Sequence, residues 1–416
     1  MVKGGRVLPA ALLTLIGTTV TVTGTAPGAA TAATRTATAV TVAAAPAGSV
    51  SSPWSGSWEA APSGTTPALP GAAVRNVVHL SVGGSLLRIR LSNRLGTAPL
   101  VLGAMTVALA RGTGPDALLG TMRTVTFSGA VTAAVPPGDD LVSDPVPLVV
   151  PSAADLLVTV HTPADSGPAT YHRTALRTSY IAPEGTGRAA DEDGSAYTAT
   201  TSHWYYVTGV DVLGRGGTGS VVAFGDSLTD GTGSTPDADH RWPDRLADRL
   251  RSRGQGVLNA GIAGNRLLRD GTGPSALSRL DADALSRSGA RTLVVFEGIN
   301  DINGKPRADD IRDFEAAYRA IVARAHEHGI RVVGATLTPY GGHGGFTTAR
   351  EDLRQRINVF IRTGGAFDAV VDFDAAVRDP AEPDRIRPAY DPGDHLHFND
   401  AGMRALADSI DLGVLR

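Results

Sequence analysis

A serine, an aspartate–histidine pair and several small-residue turns occur along this chain in an order that suits attack on a carbonyl carbon. Ser227 lies in Gly225-Asp226-Ser227-Leu228, directly after the apolar run Ser220-Val221-Val222-Ala223-Phe224 and before a Thr/Gly/Asp-rich turn. A hydroxyl at the C-terminal tip of a buried strand sits at the open edge of a sheet, close to backbone N–H groups. Alone, such a serine is ordinary turn chemistry. Three further blocks follow it: Asn259-Ala260-Gly261-Ile262-Ala263-Gly264-Asn265, then Gly298-Ile299-Asn300-Asp301, then Asp394-His395-Leu396-His397. Acyl transfer needs a nucleophile, a base, a group that orients the base, and donors for the oxyanion. Ser227 is the candidate nucleophile. His397 is the candidate base, because imidazole titrates near neutral pH and can shuttle a proton. Asp394, three residues earlier, is spaced to reach Nδ1 of that ring and fix its tautomer. The oxyanion donors on offer are the Ser227 N–H, the Gly264 N–H and the Asn300 side-chain amide, a neutral donor that needs no counter-ion.

The neighbouring polar residues read as support. Asp226 suits a turn stabilised through its own backbone bonds, and Asp301 suits positioning of Asn300. Asp394, His395 and His397 have an alternative reading as a metal cluster, but no third ligand has convincing spacing, so no metal is expected. His326 and His328 close a helix and suit solvent near its negative end. His172 and Trp54 read as structural, and His343, set among glycines, is a candidate for lining a cleft.

These blocks need a scaffold. From Ser220 onward the chain alternates strand and helix. Val257–Ala260, Arg291–Phe296, Ile330–Thr336 and Phe367–Phe373 read as strands. Arg307–His328 and Ala349–Arg362 read as amphipathic helices, with Ile311, Phe314, Tyr318, Ile321 and Ala325 on one stripe and Leu353, Ile357 and Ile361 on the other. Asn399 or Asp400 caps a final helix. Such alternation predicts an α/β fold with a parallel sheet covered on both faces, whose sites lie beyond the strand C-termini. The segment 53–214 reads differently. Short β runs at Val74–Ser81, Leu86–Leu91, Val101–Ala110, Thr121–Phe127, Val146–Val150 and Leu156–Thr162 are punctuated by Pro and Gly, which predicts an all-β sandwich or jelly-roll-like domain. Arg215-Gly216-Gly217-Thr218-Gly219 marks the junction, so the second domain is placed at 215–416.

Composition narrows the classes. The chain has 416 residues, 42% hydrophobic and 19% charged, which suits a globular protein large enough for two cores. Its net charge of −3 offers no electrostatic case for nucleic acid or an anionic membrane. It has no cysteine, so disulfides, thiolate metal sites and cysteine nucleophiles are excluded. Lys3 and Arg6 precede an apolar stretch from Val7 to Val22, and Ala30-Thr31-Ala32 offers small residues for cleavage. Residues 1–32 therefore read as a secretory signal and 33–52 as a flexible linker, giving an extracellular protein without stable membrane association after cleavage. No Arg-Arg pair precedes the apolar run, which favours the general secretory route.

The four blocks, in this order over residues 220 to 412, resemble the SGNH hydrolases, also called GDSL esterases and lipases, through Ser227, Gly264, Asn300 and His397. The resemblance implies a three-layer α/β/α flavodoxin-like domain that hydrolyses carboxylic esters without a cofactor or metal. Phe398 stands where the family often has proline. The absence of Gly-x-Ser-x-Gly argues against the ordinary α/β-hydrolase elbow. In the β-rich half, Trp54, Trp58 and Arg75 to Gly96 with Leu91-Ser92-Asn93 look like the accessory domain of secreted bacterial enzymes related to acetylxylan esterases, which implies a small or polysaccharide-linked acyl ester as substrate. A lipase or phospholipase acting on lipid esters is the enzymatic alternative. A non-catalytic carbohydrate-binding protein, and a nucleotide or flavin binder using Thr229–Ser234 as a phosphate loop, are alternatives from other classes.

Overall fold

Five strands whose residues are almost all apolar pair side by side and parallel in the computed structural model, which describes residues 53–214 and 218–415. Their spatial order is Gly256–Gly261, Ser220–Gly225, Ala290–Phe296, Arg331–Ala335, Ala369–Val371, the 2-1-3-4-5 order of a flavodoxin-like sheet. Strands buried on both faces need no polar alternation, which is why Val221 to Phe224 and Leu293 to Phe296 are continuous apolar runs. The order reverses between Ser220–Gly225 and its neighbours on either side, and at such a switch point the loops leave a crevice beyond the strand ends. The expected signal at 1–32, the linker at 33–52 and the Arg215-Gly216-Gly217 junction lie outside the described residues.

The helices follow their apolar spacing. Ile311–Glu327 buries Phe314, Tyr318, Ile321 and Ala325, and Asp310 caps it by accepting from Arg312 N. It starts four residues later than its periodicity predicts, at the Asp310 cap. Thr348–Thr363 buries Leu353, Ile357 and Ile361 behind an N-cap at Thr347. Asn399 caps Asp400–Ser409 by accepting from Ala401 N and Gly402 N. The final strand is shorter than expected, Ala369–Val371, because Asp372 caps a new helix, Phe373–Val377. Trp242–Leu250 is among the helices that were not foreseen. Its signal is there in Pro243 and Asp244 at the start and in Trp242, Leu246 and Leu250 on one face.

The first half is built of antiparallel sheets, as expected, with only one short 3₁₀ turn, Arg188–Ala190, among its described residues. One sheet runs Ser55–Glu59, Val207–Leu213, Gly84–Ser92, Val146–Val150; another runs Ala199–Thr201, Ser179–Ala182, Ala73–His79, Asp155–His161, Met105–Leu109, Arg123–Thr124. Leu87, Ile89, Leu91, Val210 and Val212 of the first share one core with Val74, Val78, Val107, Val158 and Val160 of the second. The run Val101–Ala110 divides into Leu100–Leu102 and Met105–Leu109, and Thr121–Phe127 contributes only Arg123–Thr124.

The two halves are joined by buried polar contacts. Gly56 N donates to Ser288 O (2.8 Å), Ser220 Oγ to Gly56 O (3.0 Å), and Val257 N on the outer strand of the parallel sheet to Ser81 Oγ (3.0 Å). Arg94 pairs with the buried Asp283 carboxylate, and Arg90 donates to Ser288 Oγ at 2.9 Å. Together the β-rich and α/β segments form one compact unit.

Candidate active site

Ser227 is the first residue of a one-turn helix, Ser227–Asp230, that begins where the strand Ser220–Gly225 ends. Asp226 holds that turn: its carboxylate accepts from Leu228 N at 2.9 Å, the structural role expected of it. From the far end of the chain, His397 places Nε2 2.9 Å from Ser227 Oγ and Nδ1 2.5 Å from Asp394 Oδ2. The other Asp394 oxygen accepts from Leu396 N (3.0 Å) and His397 N (2.9 Å), so one side chain shapes the loop and orients the ring. Burial raises the Asp394 pKa, but the hydrogen bonds from His397 and the two backbone N–H groups outweigh it and hold the carboxyl below the ordinary aspartate value. With Nδ1–H directed at a carboxylate, Nε2 is left to accept the serine proton.

The remaining blocks lie on adjoining loops. Gly264 has φ +83°, a conformation glycine adopts without strain, on the loop after the strand Gly256–Gly261. Asn300 lies on the short helix Ile299–Asn303 after the strand Ala290–Phe296. Its Nδ2 donates to Asn265 O at 2.9 Å, which leaves a second amide hydrogen. Asp301 is the residue expected to be structural and to position Asn300. It accepts from Leu267 N (2.7 Å) and Leu268 N (3.0 Å), tying the two loops together. Asn265, which sequence reasoning did not single out, is buried; it donates to Thr272 O and Pro274 O and accepts from Arg279 Nε, bracing the Gly264 loop from within. Among the described residues no backbone carbonyl or side chain takes the Ser227 or Gly264 N–H.

Residues 223–405 match the family model for GDSL-like lipases and acylhydrolases. The chain carries a GDSL-like lipase/acylhydrolase domain. Its chemistry is hydrolysis of carboxylic esters. No curated protein matches the chain. Solved structures similar to part of it include an aryl esterase from M. smegmatis (18% identity, 46% of this chain and 95% of that one, TM-score 0.38). Others are an acetyl xylan esterase, AlAXEase (23%, 46% and 96%, 0.36), and a GDSL-like lipase from Bacteroides thetaiotaomicron (18%, 47% and 87%, 0.36). Likenesses of that size do not bear on this domain's substrate.

Near Ser227 lies a group of buried acids. Burial lifts Asp226 to about 7, with the Leu228 N–H pulling it down and the charges of Asp301 and Asp230 adding to the rise. Asp301 is raised by burial against the pull of its two backbone donors. Glu297, 1% exposed, is raised well above the ordinary glutamate value, first by burial and then by the charge of Asp226. A raised carboxyl keeps in the folded state a proton that the unfolded chain gives up. Its effect is therefore a loss of stability as pH climbs above 4.5, the ordinary glutamate value, toward the folded pKa. Glu297→Gln, which needs no proton, is expected to raise Tm at pH 8 by about 2 °C or more and to change it little at pH 5. Thermal unfolding at both pH values checks this, and an equal shift at both would contradict it.

The other singled-out residues sort as follows. His395 does not join His397 around a common point: its Nδ1 lies 2.6 Å from Asp391 Oδ2, forming a second aspartate–histidine pair. The group among the described residues with metal-like spacing is His79, Asp155 and Asp239, and there Arg177 already bonds both carboxylates. The phosphate-loop reading of Thr229–Ser234 meets N–H groups that are committed: Thr229 N and Asp230 N to Asp226 O, Gly231 N and Thr232 N to Ser227 O. His172 is buried, and Arg88 lies over the Trp54 ring at 4.2 Å. His326 is exposed as expected but pairs with Asp368 at 2.9 Å. His343 lies near the triad: burial lowers its pKa, Asp394 opposes this, and the charges of His397 and His395 lower it further.

Proposed function

We propose that this protein is a secreted serine esterase that removes short acyl groups, acetyl above all, from carbohydrate. The hydrogen-bonded chain from Ser227 Oγ through His397 to Asp394 carries the catalytic part of the reading. His397 Nε2 takes the Ser227 proton as Oγ attacks the ester carbon, and the carbonyl oxygen becomes an oxyanion facing the Ser227 and Gly264 N–H groups and the free Asn300 amide hydrogen. The imidazolium returns the proton to the departing alcohol, leaving an acyl-Ser227. Water activated by the same ring then releases the acid. The resemblance of the β-rich half supports a carbohydrate substrate. So do the polar groups around His397, where His343 and the half-exposed His395 suit a hydroxylated leaving group better than an alkyl tail. The Lys3/Arg6 start and apolar run support export.

The test is a panel of acetyl, butyryl and long-chain p-nitrophenyl esters with acetylated xylan, and Ser227→Ala as control. Fastest turnover on acetyl esters and release of acetate from the xylan are expected. A preference for long chains with no acetate release would replace the carbohydrate reading by a lipid one. Asn300→Ala is expected to lower kcat by about 10²–10³ with little change in KM, the size of effect seen when one oxyanion donor is lost. A fall confined to KM would place Asn300 in ground-state binding.

A further inference from the structure

The β-rich half reaches the Ala263–Gly264 loop through His172, by way of Asp230, and more loosely through Arg173, whose Nη2 donates to Ala263 O at 3.4 Å. His172 ends the strand Ala169–His172, and among the described residues only acceptors lie within hydrogen-bond distance of its ring nitrogens. Nδ1 lies 2.7 Å from Ala61 O, and Nε2 lies 3.0 Å from Asp230 Oδ1 and 3.3 Å from Thr174 O. Satisfying both nitrogens takes two N–H groups, so this geometry suits an imidazolium. Asp230 is the last residue of the helix that begins with Ser227, and its second oxygen accepts from Ala263 N at 2.8 Å. Ala263 immediately precedes Gly264. The two side chains are 3% and 2% exposed, so the pair forms a dry link from the β-rich half to the oxyanion loop. Gly261 permits the fit: a Cβ there would stand 2.3 Å from Asp230 N.

We propose that His172 is a positioning residue for ester hydrolysis, acting through Asp230 to hold the Ala263–Gly264 loop where its N–H can meet the oxyanion. This rests on the esterase reading above. Burial works against the charge on His172, but Asp230 outweighs it and raises the ring's pKa; Arg241 opposes weakly. A buried ion pair that loses one member leaves the other charge unmatched. Without His172, Asp230 loses its buried counter-charge and its fixed orientation, so the bond that it accepts from Ala263 N is loosened while the Asn265 brace and the Arg173 contact remain.

The experiment compares wild type, His172→Ala, His172→Gln and Ser227→Ala for kcat and KM on p-nitrophenyl acetate. It also measures Ki for an aryl trifluoromethyl ketone, whose serine adduct carries an oxyanion, and the fraction of titratable Ser227. His172→Ala is expected to lower kcat by about 10–100-fold, in line with a misplacement of about 1 Å. KM should change less than threefold, and Ki should weaken by a similar factor to kcat. His172→Gln, which keeps one donor toward Asp230, should recover part of both, and it carries the test should the alanine variant fail to fold. Loss of titratable serine with unchanged Ki in the surviving enzyme, or wild-type kinetics in both variants, would overturn the proposal. Activity persisting in Ser227→Ala would instead overturn the esterase reading.

Discussion

Ser227→Ala is expected to lower kcat on p-nitrophenyl acetate by about 10⁴- to 10⁶-fold, leaving only what the oxyanion donors and binding supply. The geometry requires a loss this large. The Oγ is the atom of residue 227 that hydrogen-bonds His397 Nε2, and alanine leaves the backbone bonds of the turn in place. Asp226 still accepts from Leu228 N, and Asp230 N still bonds Asp226 O. Tm should therefore stay near wild type, which separates lost chemistry from lost fold. Burst kinetics give a second check: wild type should release p-nitrophenol stoichiometrically where deacylation is slower, and the variant should show no burst.

Asp394→Asn should cost about 10⁴-fold in kcat at neutral pH. Asparagine keeps an oxygen for Leu396 N and His397 N, so the loop should hold its shape. Its amide, however, presents N–H to His397 Nδ1. The ring then carries its proton on Nε2, pointing at the serine it must deprotonate. The wild-type carboxyl is held below its ordinary value, so it stays charged as pH falls through the usual aspartate range. The stability that it adds is fully present above 3.8 and is lost only as pH falls through the lower folded value. Asp394→Asn should lack that acid-side loss. Stopped-time assays and thermal melts from pH 3 to 8 would show both effects, and a fall in kcat of less than tenfold would mean that the carboxylate shapes the loop without tuning the base.

The candidate serine, histidine and aspartate were legible because each sits in a short block whose chemistry is local: a strand tip and a three-residue Asp–His spacing. Helices with a full apolar stripe, such as Ile311–Glu327, were legible for the same reason. Trp242–Leu250 was hidden because its stripe has three residues among Arg and Asp. The last strand was overread because Val370, Val371 and Phe373 form one apolar run and only the Asp372 side chain, by capping, divides it. His172 and Asp230 are 58 residues apart, one ending a strand of the β-rich half and the other a one-turn helix of the α/β half, so no spacing rule connects them. The contact arises from how the two halves pack, a long-range outcome that neither segment carries alone.

The outermost strand of the parallel sheet, Gly256–Gly261, is the one against which the β-rich half is laid, with Val257 N taken by Ser81 and Gly256 close against the Gly56 carbonyl. Bare strand borders are templates on which further copies can add. The first half of the chain is therefore expected to act as a built-in solubility guard: a shortened enzyme starting at the hydrolase portion is expected to precipitate by edge-to-edge growth even with every catalytic group intact, which light scattering of the two lengths would check.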